Sequence, residues 1–164
     1  MPRRSFPAVQ FVLLLVAIAS VAVALLLVGR WAVYEYVTPP FDTDRQMLLT
    51  AFESAFVVIG ILAALAAITW YVMAWMAGVV APENAGNRSY WLLGLLGVVL
   101  VSAITAGLVF GQPIASTLLG YALLVGSSAL IYYVPTVLFT PASFKYSPVL
   151  AEPLHGLVFR RKLE

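Results

Sequence analysis

The sequence predicts an all-α integral membrane protein: four transmembrane helices in an up-down bundle, with both termini in the cytoplasm. Three observations carry this expectation. Four hydrophobic stretches, each long enough to cross a bilayer, take up most of the 164 residues. Hydrophobic residues make up 63% of the chain and charged ones 10%, against about 45–50% and about 25% in an average soluble domain. A soluble fold of this size has nowhere to hide the excess. Finally, the basic residues fall unevenly among the connections, and such a bias sets membrane orientation.

The first stretch runs from about 8 to 29, preceded by Arg3 and Arg4 and closed by Arg30. A basic start also suits a signal peptide. This apolar run is longer than the roughly 7–15 residues of a signal core, no small-residue cleavage site follows, and three more spans do. It reads as a retained helix. Residues 30–46 then form the longest connection. Trp31, Tyr34 and Tyr36 suit the headgroup level. Thr38-Pro39-Pro40 stops a helix, since proline lacks an amide donor and restricts its predecessor. Thr43-Asp44-Arg45-Gln46 fits a capping box for the next helix.

The second stretch, about 47–80, is longer than lipid requires: roughly 50 Å of helix at 1.5 Å per residue against ~30 Å of hydrocarbon. It must tilt or project. Trp70, Tyr71 and Trp75 read as markers of the far interface. A turn-rich loop, 81–90, leads to the third stretch, about 91–110. Gly111-Gln112-Pro113 makes an uncharged turn into the fourth, about 114–134. Together these form one transmembrane domain, 1–141. Pro135 reads as the end of the last helix or as a kink that frees a carbonyl near Ile131. The tail, 142–164, mixes apolar residues with Lys145, Arg160, Arg161 and Lys162. It reads as a cytoplasmic segment lying on the membrane surface.

Arg3, Arg4, Arg88, Lys145, Arg160, Arg161 and Lys162 lie on one side of such a bundle, leaving only Arg30 and Arg45 for the other. This bias puts both termini inside and, on composition, suits the cytoplasmic membrane of a bacterium or archaeon. Asn87-Arg88-Ser89 matches a glycosylation sequon, which needs the opposite face; the charge bias outweighs so common a triplet.

The chemistry on offer is sparse. With no cysteine in the chain, disulfides and thiolate metal sites are excluded. The formal charge of +2 is too small to point to nucleic acid. Glu53 is the one carboxylate within the spans. An ionisable group deep in a span tends to line a cavity or an ion path, but Glu53 falls near the outer interface. There it can pair with Arg30, Arg45 or a partner subunit. Glu35, Asp42 and Asp44 make an outer acidic cluster that reads as capping and solvation rather than a calcium loop. His155, the only histidine, cannot by itself supply a haem or zinc site. No cofactor or metal is expected.

Small residues recur at four-residue spacing: Gly60/Ala64, Ala63/Ala67, Ala103/Gly107, Gly107/Gly111, Ser116/Gly120 and Ala122/Gly126. Such faces let helix backbones approach closely in lipid. Internal packing or a partner helix can use them. Ser102, Thr105, Ser116, Thr117, Ser127 and Ser128 are mid-span hydroxyls, and Ser127 and Ser128, with Gly126 and Tyr121, give the fourth helix its most polar patch.

An enzyme needs a nucleophile with a base, paired carboxylates or metal ligands, and the spans offer none of these sets. The expectation is therefore a non-catalytic, structural or accessory subunit of a larger membrane complex, contacting lipid and other subunits or further copies of itself. The alternative is a homo-oligomeric channel or small transporter, with Glu53 and the mid-span hydroxyls lining the path.

Overall fold

The computed structural model describes residues 8–39, 44–80, 88–111 and 117–139. Four helices make up nearly all of this: α1 (Ala8–Tyr36), α2 (Arg45–Val80), α3 (Arg88–Phe110) and α4 (Leu118–Phe139). Each is long and apolar enough to cross a membrane. The expectations for Arg3, Arg4, Asp42, Thr43, Ser116, His155, Arg160, Arg161 and Lys162 lie outside the described residues.

α3 begins at Arg88, so residues 88–90 belong to the helix and not to the expected 81–90 loop. Three further boundaries depart from the sequence reading, each with a physical reason. Arg30 does not close α1, which continues through Trp31, Tyr34 and Glu35 to Tyr36, with a last bond from the Val37 amide to the Val33 carbonyl (3.2 Å). Charge ends a span without ending a helix. The backbone stops only where Thr38, restricted by Pro39, cannot stay helical. At 29 residues α1 is about 44 Å long, so it too exceeds the hydrocarbon. At the start of α2, the Leu48 amide bonds the Asp44 carbonyl (3.0 Å), which puts Asp44 rather than Thr43 at the N-cap.

The third departure is Pro135, which is buried inside α4 rather than at its end. Its missing amide leaves the Ile131 carbonyl without a helical partner. One residue on, the Thr136 hydroxyl donates back to the Tyr132 and Tyr133 carbonyls (2.8 and 2.9 Å), and neighbouring helices shield the break from lipid. The hydroxyl braces the turn beside the break without reaching the Ile131 carbonyl, and burial against neighbouring helices is what lets the proline stand here. At the end of α3, Gly111 has φ of 69° and its amide bonds the Gly107 carbonyl (3.0 Å). That left-handed position favours glycine.

α2 and α4 each touch all three other helices, whereas α1 and α3, among the described residues, do not touch each other. The pair α2/α4 therefore forms the spine, with α1 and α3 on its flanks. Phe11 meets Tyr71 near one end and Arg30 meets Glu53 near the other, so α1 and α2 run in opposite directions. Trp91 against Tyr132 and Phe110 against Tyr121 show the same for α3 and α4. The core along the spine includes Phe52, Phe56, Ile59, Ala63, Ala67, Leu124 and Ile131. Ala63 and Ala67 are fully buried, as backbones in close approach require. Trp70 and Tyr71 are also buried in this core.

Candidate functional site

Polar side chains gather in two regions. The first is a buried seam between α3 and α4. Near its middle the Ser102 hydroxyl lies 2.6 Å from that of Ser128. Each also reaches a carbonyl of its own helix, Ser102 to Val98 at 2.7 Å and Ser128 to Val125 at 2.9 Å. A hydroxyl has one proton, so two protons serve three contacts. The cluster closes on itself and spends its polarity joining two helices. At one end, Trp91 Nε1–H donates to Thr136 Oγ1 (3.0 Å) while the Tyr132 hydroxyl donates to the Trp91 carbonyl (3.0 Å). The Trp91 ring lies 5.8 Å from that of Tyr132 and 5.6 Å from that of Tyr133, distances at which aromatic pairs attract. At the other end the Tyr121 hydroxyl donates to the Gly111 carbonyl.

Two glycines make this seam close. A Cβ on Gly94 would stand 2.6 Å from the Tyr132 hydroxyl, and one on Gly120 would stand 2.5 Å from the Phe110 ring. Of the candidates read from the sequence, Ser128 and Tyr121 thus serve as fasteners, and Ser127 is buried one position away on α4. Gly120 receives the Phe110 ring, and Gly107 lies under the Tyr121 hydroxyl, 3.4 Å from where its Cβ would be. Gly60 faces Ile131 at an ordinary 3.9 Å. Ala103 and Ala64 are half-buried and Gly111 caps α3. The spacing of small residues did not single out Gly94, or Gly29, whose Cβ would meet the Phe52 ring at 2.8 Å. The glycines are visible in the sequence; what they receive comes from another helix and depends on register.

The second region is interfacial. Arg30 Nη1 lies 3.1 Å from Glu53 Oε1, with the side chains 57% and 36% exposed. Of the partners open to Glu53 in the sequence, the fold selects Arg30. Arg45 instead sits over the Tyr34 ring, 5.4 Å from its centroid, within cation–π range. Beside the ion pair is a crevice of about 330 Å³ lined by Leu27, Arg30, Trp31, Tyr34, Gln46 and Leu49. Glu53 is eight residues into α2, about 12 Å from its start, and Arg30 is six residues from the end of α1. Both therefore stand level with Trp31 and Tyr34 along the bundle. Glu35 is exposed on α1, apart from Asp44 at the N-cap of α2.

Chemically the buried seam holds helices together, and the crevice offers a guanidinium, a carboxylate, an amide and two aromatic faces at membrane-surface depth. Compared with protein-family models, curated proteins and solved structures, the chain matches none of them.

Proposed function

We propose that this chain is a non-catalytic subunit of a larger integral membrane assembly, joined to it through the outer strip of α4. The observation that carries this reading is an unused packing notch. α4 contacts every other helix, and its exposed residues are confined to Leu118, Leu119, Ala122 and Leu130. Leu119, Ala122, Gly126 and Leu130 follow one another at helical spacing, so they form a single stripe. Ala122 is exposed, and a Cβ on Gly126 would meet nothing within 4 Å. Ala63, Ala67, Gly107 and Gly120 are taken up by packing within the chain. The Ala122/Gly126 pair is open and bounded by leucines. A small-residue notch between bulky neighbours is a docking face for a helix in lipid, where van der Waals fit is the main adhesive force.

The same reading gives the bundle an up-down course with both termini in the cytoplasm, supported by the bias of basic residues. It places the chain in the cytoplasmic membrane of a bacterium or archaeon, on composition and charge alone. The buried hydroxyls support a structural role, because they are engaged with carbonyls and with each other.

Native mass spectrometry of the tagged chain, extracted in mild detergent from its own membrane, tests the proposal. The expected result is stoichiometric foreign subunits that disappear in Gly126→Leu, while that variant keeps the melting temperature of the parent. A ladder of this chain alone would replace the accessory role with a homo-oligomer, and flux through it would be the next quantity to measure.

A further inference from the structure

The two helices that carry Arg30 and Glu53 also share an apolar groove, and the two features are continuous. Ile18, Ala22, Leu26, Arg30 and Tyr34 follow one another at four-residue spacing along α1. They therefore form one ridge. Its lower half lines the apolar groove and its upper half the polar crevice. On α2, Gln46 lines the crevice, Gly60 and Ala64 line the groove, and Glu53 stands between them at helical spacing. The result is one furrow along the α1/α2 junction, apolar at membrane depth and polar at the surface.

Its dimensions choose between occupants. The groove has a volume of about 260 Å³. From Ile18 to Leu26 it follows about 12 Å of helix, which leaves a section of about 22 Å². That is room for one hydrocarbon chain. A helix is about 10–12 Å across with its side chains and would have to stay outside. The polar end chooses the headgroup. Arg30 is already paired there with Glu53, so the pair carries no excess positive charge to draw an anionic lipid. An exposed guanidinium has five donors, and the recorded ion pair engages Nη1. Its remaining donors suit a phosphate. Glu53 and the exposed Trp31 ring suit an ammonium group.

We infer that the furrow between α1 and α2 binds one zwitterionic phospholipid, with an acyl chain in the Ala22/Gly60/Ala64 groove and the headgroup phosphate on Arg30. Zwitterion and ion pair are complementary: the phosphate meets the arginine and the ammonium meets Glu53.

The test is native mass spectrometry of the full chain, delipidated in detergent and then given an equimolar mixture of dioleoyl phosphatidylethanolamine and dioleoyl phosphatidylglycerol. The expected result is one retained phosphatidylethanolamine per chain. Ala64→Leu fills the groove and leaves the charges; Arg30→Gln removes the phosphate contact and leaves the groove. Each should lower retention by about tenfold, the weight of one charge-assisted hydrogen bond or a blocked chain. Val58→Leu, an exposed change elsewhere on α2, should retain lipid like the parent. Melting curves identify a variant that loses lipid by failing to fold, and the other variant then carries the test. Retention like the parent's in both Ala64→Leu and Arg30→Gln would overturn the inference. So would a preference for phosphatidylglycerol, no retained lipid in the parent, or a second copy of the chain where the lipid should be.

Discussion

α1 and α4 are nearly opposites. The most apolar stretch of α1 has a mean hydropathy of 3.2 and is 11% buried within the chain, whereas that of α4 has 1.8 and is 44% buried. The other two fall between them in the same order, 2.5 with 17% for α3 and 2.3 with 33% for α2. In water the most apolar helix would be driven inside. Lipid tails are as apolar as leucine, so they give no such drive. What needs shelter in a bilayer is polarity. α4 carries Ser127, Ser128, Tyr132, Pro135 and Thr136, and all of them are buried. α1 spends most of its length on lipid-facing residues such as Val9, Val12 and Val16. The bundle is sorted by what each helix has to hide.

If that account holds, the largest effects should come from α4's close contacts. Gly120→Ala puts a Cβ into the Phe110 ring, which is itself buried. Overpacking of this kind costs about 1–3 kcal/mol, and a melting experiment in detergent should show it. Gly126→Ala, six residues along the same helix and open to the outside, should cost no more than a few tenths of that. Equal losses at the two positions would break the comparison, because helix propensity favours alanine at both and contact within the chain could not then set the cost at Gly126. Thr136→Val comes next. It keeps the shape but leaves the buried Trp91 Nε1–H without its acceptor and removes the hydroxyl's bonds to the Tyr132 and Tyr133 carbonyls. Stranding a buried donor costs about 1–3 kcal/mol, here towards the lower end, since measured hydrogen bonds in membrane proteins average ~0.6 kcal/mol. A double-mutant cycle with Trp91→Phe isolates the pair.

Much of this fold could be read in advance because hydrocarbon thickness imposes a length on every span. The third stretch ends at Phe110 and turns at Gly111, where composition placed it. The misreadings share one cause. Arg30 ends a pattern in one dimension, and Pro135 reads there as a stop or a kink. In three dimensions α1 runs past Arg30, which pairs with Glu53, and α4 runs past Pro135, which is buried among neighbouring helices. The seam was harder still. Trp91 and Thr136 are 45 positions apart, and nothing in spacing along either helix sets the register that joins them. Glu53 could be found because a carboxylate among apolar residues stands out, but its partner could not.

The smallest expected effect tests α1 itself. Leu13 is 49% exposed while its neighbour Leu14 is fully buried. Leu13→Ala removes a side chain that lipid replaces on both sides of the folding equilibrium, because the helix stays in the bilayer when the bundle comes apart. Its cost should stay within about 0.5 kcal/mol, as for surface positions generally. Leu14→Ala empties a packed site that lipid cannot refill, so it should cost more even though both residues are leucines on one helix. If Leu13→Ala is as damaging as Leu14→Ala in the isolated chain, the outer face of α1 is covered by something other than lipid, and the sorting of helices by polarity alone fails. If it is harmless in detergent but loosens the native assembly, α1 faces a partner, and the attachment is wider than the α4 strip.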